Sequence, residues 1–171
     1  MNLIKEIEKE HSKAQCIRIT EWVGSSPERF EELLTLFAQK ESKITQRASW
    51  PLSYCIELHP SLLNNHFDTF LKKITSPNLH DGIKRNGLRA LQFVEIPEKY
   101  QGTIMDICFQ YLESPKETVA VKVFALYILA KLAKVYPELI QEIRLLIEMQ
   151  IDNQTAGFKS AVKTVSKELK F

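Results

Sequence analysis

Glycine and proline are scarce in this chain, 5 and 7 among 171 residues, which excludes collagen-like and low-complexity disordered architectures. Neither sign of charge is in excess. The 23 basic and 21 acidic side chains leave a net charge of +2, so nothing draws the whole chain toward nucleic acid or membrane, and any basic patch has to be local. The three cysteines, Cys16, Cys55 and Cys108, form no Cys-x-x-Cys pair and lie far apart inside apolar patterns. They read as buried free thiols, not as disulfides or metal ligands. The histidines His11, His59, His66 and His80 fall at no H-x-x-x-H spacing and read as surface or turn residues. No P-loop, G-x-G-x-x-G or G-x-S-x-G is present, so phosphate-cradling loops and nucleophile elbows are excluded. No catalytic residue, metal or cofactor is expected. The opening MNLIKEIEKEH alternates charged with apolar residues and lacks the uncharged core and cleavage site of a signal peptide, so a cytoplasmic location is expected.

What is present is helical patterning. A hydrophobic fraction of 44% and a charged fraction of 26% are those of a folded protein, read as one domain over residues 1–171 with no linker. The most apolar stretch is Ser114 to Pro137, SPKETVAVKVFALYILAKLAKVYP. Ser114 is expected as an N-cap, with Pro115 at the first helical position and Glu117 completing a capping box. From Val119 to Tyr136 nearly every residue is apolar except Lys122, Lys131 and Lys134. A helix apolar almost all round must be covered on more than one side, and three lysines make a bilayer an expensive alternative. The other segments are one-sided. Short helices are predicted over residues 2–10 and 12–23, with an S-x-x-Q cap at Ser12 and Gln15. Pro27 opens a helix whose Phe30, Leu33, Leu34, Phe37 and Ala38 recur at helical spacing. Ser42 starts the next, with Pro51 expected to kink or locally break it. Further helices begin at Pro60, about Asp81, Pro97 and Pro137, and a last one carries Phe158, Ala161, Val162, Val165 and Leu169. No segment alternates as a strand does, which makes the fold all-α with about ten helices.

The helices repeat. Arg47, Arg85, Lys122 and Lys159 align at a regular spacing of about 37 residues, the mark of a helical solenoid whose helix pairs must stack to bury their apolar faces. On these residues the chain resembles the armadillo/HEAT repeat family, whose second helix carries Val-Arg-x-x-Ala-x-x-x-Leu. The best copy is Val121-Lys122-Val123-Phe124-Ala125-Leu126-Tyr127-Ile128-Leu129, while Trp50, Leu88 and Val162 replace the small Ala in the others. The Asp that the family places six residues before the Arg is missing here, where those positions are Glu41, Leu79, Lys116 and Asn153. The resemblance implies a right-handed α-α superhelix of about five helix pairs, with second helices lining a concave groove. It also implies a monomeric, non-enzymatic scaffold that binds a protein or peptide through that groove.

The basic ladder has two readings. Its members bridge neighbouring repeats through local carbonyls or acids. Alternatively Arg47, Arg85, Lys122 and Lys159 join Arg89, Lys163, Trp50 and Tyr54 in a groove of cations and aromatics suited to phosphates, stacked bases or an acidic peptide. Trp50 is a recognition residue if it lies in the groove and a core residue if it packs toward a first helix. The chain is similar in architecture to the HEAT-like alkylpurine DNA glycosylases, which use Trp, Asp and Arg on the concave face. No Asp occupies a groove position in the second helices, since Asp81 stands at a helix start, so the catalytic part of that resemblance does not carry over. A nucleic-acid partner held in the basic groove is the alternative to a protein or peptide.

Overall fold

The structure, a computed structural model, describes residues 1–40 and 42–171. Glu41, one of the positions compared with the family acid, lies outside the described residues. Among the described residues there is no strand, and ten α-helices follow one another in pairs: α1 (Leu3–Lys9) and α2 (Lys13–Val23), α3 (Pro27–Ala38) and α4 (Lys43–Leu58), α5 (Phe67–Ile74) and α6 (Asp81–Leu91), α7 (Glu98–Glu113) and α8 (Val119–Ala133), α9 (Leu139–Gln150) and α10 (Ala156–Leu169). The all-α expectation and the five helix pairs are both realised. The chain divides into two compact units, Met1–Val94 and Glu95–Phe171.

In the first unit the helix starts are set by small polar side chains. Asn2, Ser12, Ser26 and Ser42 each accept a hydrogen bond from the backbone N–H three residues on, satisfying donors that a helix N-terminus leaves orphaned. The Ser12 box is only half formed. The Gln15 carboxamide, instead of returning to the cap, donates to the Glu6 carbonyl and carboxylate, both at 2.7 Å, and so ties α2 to α1. Helix α4 is the centre of this unit and packs against α1, α2, α3 and α6. It runs unbroken through Pro51, where a local break was one expectation. Pro51 contributes no N–H to the Arg47 carbonyl; on either side of it Ser49 Oγ bonds back to the Gln46 carbonyl at 2.6 Å and Ser53 Oγ to the Trp50 carbonyl at 2.8 Å. Packing on several sides holds the rest. The segment after Pro60 also differs from expectation: Pro60–His66 is a 3-10 stretch, and the α-helix begins only at Phe67. Asn64, Asn65 and His66 are poor helix formers, and His66 leaves the α region at φ −121°, ψ 9°. Beyond it Phe70 stacks on Phe37 of α3 with ring centres 5.8 Å apart. Helix α6 approaches α5 closely at Gly87, where an added Cβ would stand 2.6 Å from Ile74 Cγ2.

In the second unit α8 is covered by α7, α9 and α10, and Val121, Ala125, Leu126, Ile128, Leu129 and Leu132 are all buried. This is the enclosure its nearly continuous apolar character demands. Its start is later than the sequence suggests. Ser114 closes α7, its N–H donating to the Gln110 carbonyl at 3.1 Å, and its hydroxyl accepts from Lys116 N at 3.3 Å in a local turn. Pro115 and Glu117 therefore lie in the connection, and Thr118 precedes the first helical residue. The reason is competition: one Ser cannot both end a 16-residue helix and begin the next. Likewise Pro137 leads into α9 two residues before its first helical residue.

The three cysteines are free and buried, as expected. Burial pushes the Cys16 thiol up to about 11 and Cys55 up to about 12, and it raises Cys108 as well. Among the described residues no helix is long and apolar enough to cross a membrane, and no cluster of His, Cys, Asp or Glu could hold a metal ion.

Candidate binding surface on the second helices

Helix α4 carries Arg47, Trp50 and Tyr54 at spacings of three and four residues, hence on one stripe. The packed neighbour α6 carries Arg85 and Arg89. Arg47 Nη1 donates to the carbonyls of Ile7 at 3.1 Å and Glu8 at 2.8 Å. These carbonyls belong to the last turn of α1, where no intrahelical donor reaches them. Arg47 thus bridges two helix pairs. Trp50 is half-buried, with its ring edge-on to His11 at 5.3 Å and 66°, against the turn between α1 and α2. His11 is exposed overall, but the part of its ring that is shielded from water, together with the charges of Arg47 and Arg85, holds it below the usual histidine range.

Arg89 is held from three sides. Its guanidinium lies 4.4 Å over the Tyr54 ring and 5.3 Å from that of Phe93. Nη1 donates to Ser53 Oγ at 3.3 Å, and Nη2 pairs with Glu57. A cation stacked on an aromatic face and anchored by a carboxylate is locked in orientation. One turn earlier, Arg85 is exposed and has no hydrogen-bond or ion-pair partner among the described residues. The first unit therefore brings together five of the eight candidate residues, Arg47, Trp50, Tyr54, Arg85 and Arg89.

The remaining three belong to the second unit. Lys122 of α8 is buried, with 5% of its surface exposed, and its ammonium donates to Gln150 Oε1 of α9 at 2.8 Å. Burial pulls its pKa down, and the carboxylate of Glu117 offsets part of that. Lys159 is exposed and donates to the Asp152 carbonyl at 3.3 Å, while Lys163, one turn further along α10, is exposed. In the basic ladder, then, Arg47, Lys122 and Lys159 each engage a local acceptor.

Sequence reading missed the polar residues that join the second helices. Buried Asn86 Nδ2 donates to Ser49 Oγ at 2.8 Å, and the Ser53–Arg89 bond lies on the same seam. The partners are 37 and 36 residues apart, the repeat period itself. That spacing of polar residues within apolar stripes was the available signal.

Helix pairs stacked so that second helix meets second helix, with polar stitches one period apart, define an α-helical repeat protein. A family model described as a HEAT repeat domain matches residues 3–169, so the chain belongs to the HEAT repeat family. Searches of curated proteins and of solved structures found no significant match. HEAT repeats in general mediate protein interactions.

Proposed function

We propose that this protein is a non-enzymatic scaffold that binds an acidic protein or peptide segment across the second helices of residues 1–94. Trp50, Tyr54, Arg85 and Arg89 supply the contacts. The observation that carries this reading is the pair of arginines on α6: Arg89 fixed over Tyr54 by Glu57, and Arg85 exposed beside it without a hydrogen-bond or ion-pair partner among the described residues. An orienting cation that is already immobilised costs little to order on binding, and a free one next to it is available to a carboxylate. Phosphate binding along a groove is less well supported, because Arg47, Lys122 and Lys159 spend their donors on local acceptors. We further propose that residues 1–171 act as one domain and that the protein works in a reducing compartment such as the cytoplasm, a reading that its three free thiols support.

The test is a titration of the full chain with a glutamate-rich peptide and, separately, with mixed-sequence duplex DNA over a range of salt. The peptide is expected to bind, and Arg85→Ala to weaken it by up to about tenfold, the loss of one charge-assisted hydrogen bond. DNA binding with a steep salt dependence, and no binding of the peptide, would replace this reading with the nucleic-acid alternative.

A further inference from the structure

Helix α10 turns a face of one charge to solvent. Phe158, Ala161 and Val165 are buried and the helix packs on α8, which directs the opposite side outward. Lys159, Lys163 and Lys167 recur on that side every four residues and so form one stripe, about 12 Å long. Lys170 follows at the C-cap, and all four lysines are exposed. Ser160, exposed beside them, adds a hydroxyl. Lys159 makes one hydrogen bond, to the Asp152 carbonyl at 3.3 Å. The ammonium groups of Lys163, Lys167 and Lys170 have no hydrogen-bond or ion-pair partner among the described residues.

This charge is segregated, not general. Residues 95–171 carry as many acidic as basic side chains, and several of the other cations are engaged locally: Arg144 pairs with Glu148, Lys99 lies over the Tyr100 ring and Lys122 donates to Gln150. The one acid of α10, Glu168, pairs with Lys134, and Asp152 meets Lys159 through its carbonyl. The helix dipole favours Lys167 in the last turn. It does not account for Lys159 or Lys163, which repel each other at this spacing. The stripe also lacks what other polyanionic or apolar partners need. No large apolar or aromatic side chain of α10 is exposed, so a protein interface has no buried anchor there, a bilayer receives nothing below its headgroups, and a single strand finds no ring to stack on. Ammonium and hydroxyl donors in a row match the phosphate oxygens of a duplex.

We propose that the lysine stripe of α10 is a docking surface for the phosphate backbone of double-stranded nucleic acid, held without regard to base sequence. The lysines meet phosphates as point charges. Helix α10 has no Arg, Asn or Gln with which to read a base edge by paired hydrogen bonds. The surface is separate from the Arg85 site of residues 1–94 and takes a different partner.

The experiment follows binding of the full chain to a labelled mixed-sequence duplex DNA by fluorescence anisotropy over a range of salt. The logarithm of affinity is expected to fall with the logarithm of salt at a slope of about −3, from three to four phosphates neutralised. The double variant Lys163→Gln with Lys167→Gln, at exposed positions and with a residue of similar helix propensity, is expected to reduce that slope by about two. Arg144→Gln, which removes a cation elsewhere in the same unit, and Arg85→Ala should each leave the slope unchanged. A glutamate-rich peptide should bind the double variant as it binds the parent chain, which keeps the two sites distinguishable. The proposal is overturned if duplex does not bind at low salt, if the slope survives the double substitution, or if Arg144→Gln or Arg85→Ala lowers it as much. It is equally overturned if single-stranded DNA of the same length binds more tightly, or if the glutamate-rich peptide or phosphatidylserine vesicles, and not the duplex, depend on Lys163 and Lys167.

Discussion

At the residue scale, the arrangement turns on side chains whose surroundings differ from their apparent role. Gly87 and Gly102 both sit inside helices, but a Cβ at Gly87 would strike Ile74 at 2.6 Å, whereas nothing lies within 4 Å of one at Gly102. Gly87→Ala is therefore expected to destabilise the fold by about 1–3 kcal/mol through overpacking. Gly102→Ala should stabilise it by about 0.5–1 kcal/mol, because Ala loses less backbone freedom in a helix. Urea denaturation of both variants measures the contrast, and equal effects would show that α5 and α6 are not in close contact. His11 makes a different prediction. Its pKa is lowered by shielding from water and by Arg47 and Arg85, so the folded state favours the neutral ring. That contribution to stability is complete above the ordinary histidine value, about 6.5, and is lost as pH falls through the depressed one. A proton NMR titration should find His11 titrating below the ordinary histidine value, and Arg85→Ala should move it upward. A midpoint insensitive to that substitution would remove Arg85 from its surroundings.

At the element scale, α8 is the clearest case of sequence dictating burial. Its apolar residues surround the axis, and three helices cover it. Ala125, wholly buried, tolerates no charge. Ala125→Asp is expected to abolish cooperative folding of residues 95–171, since an unpaired buried carboxylate costs several kcal/mol; an unchanged melting temperature would refute the packing described for α8. Element boundaries were less legible. Pro27 and Ser42 mark their helices correctly, Pro27 as the first residue of α3 and Ser42 as the cap that accepts from Thr45 N. Ser114 does not, because it lies where α7 is still to be closed. Pro51 illustrates the opposite error: a residue that breaks an isolated helix is carried inside α4, which packing against α1, α2, α3 and α6 holds together.

At the scale of the whole molecule, the repeat was legible from the aligned bases and from the Pro-led first helices, because every copy faces the same burial problem and solves it with the same stripe. Membership of the HEAT repeat family over residues 3–169 follows that reading. If the two compact units act as one domain, thermal unfolding followed by circular dichroism and by tryptophan fluorescence should superimpose, since Trp22 and Trp50 both report residues 1–94 while the helical signal reports the entire chain. Separate transitions would mean that the units unfold independently.

The sequence by itself determined the helices, their pairing and their period, because apolar spacing is a local property that each helix carries along its own length. It did not determine what the basic ladder does. Arg47, Arg85, Lys122 and Lys159 occupy one position in the repeat, yet Arg47 ties down the end of α1, Lys122 is buried against Gln150, Lys159 meets a turn carbonyl and Arg85 has no hydrogen-bond partner among the described residues. Only the tertiary structure decided that, because a long cationic side chain takes whichever acceptor its neighbours offer, and those neighbours come from other helices and are not encoded in the repeat.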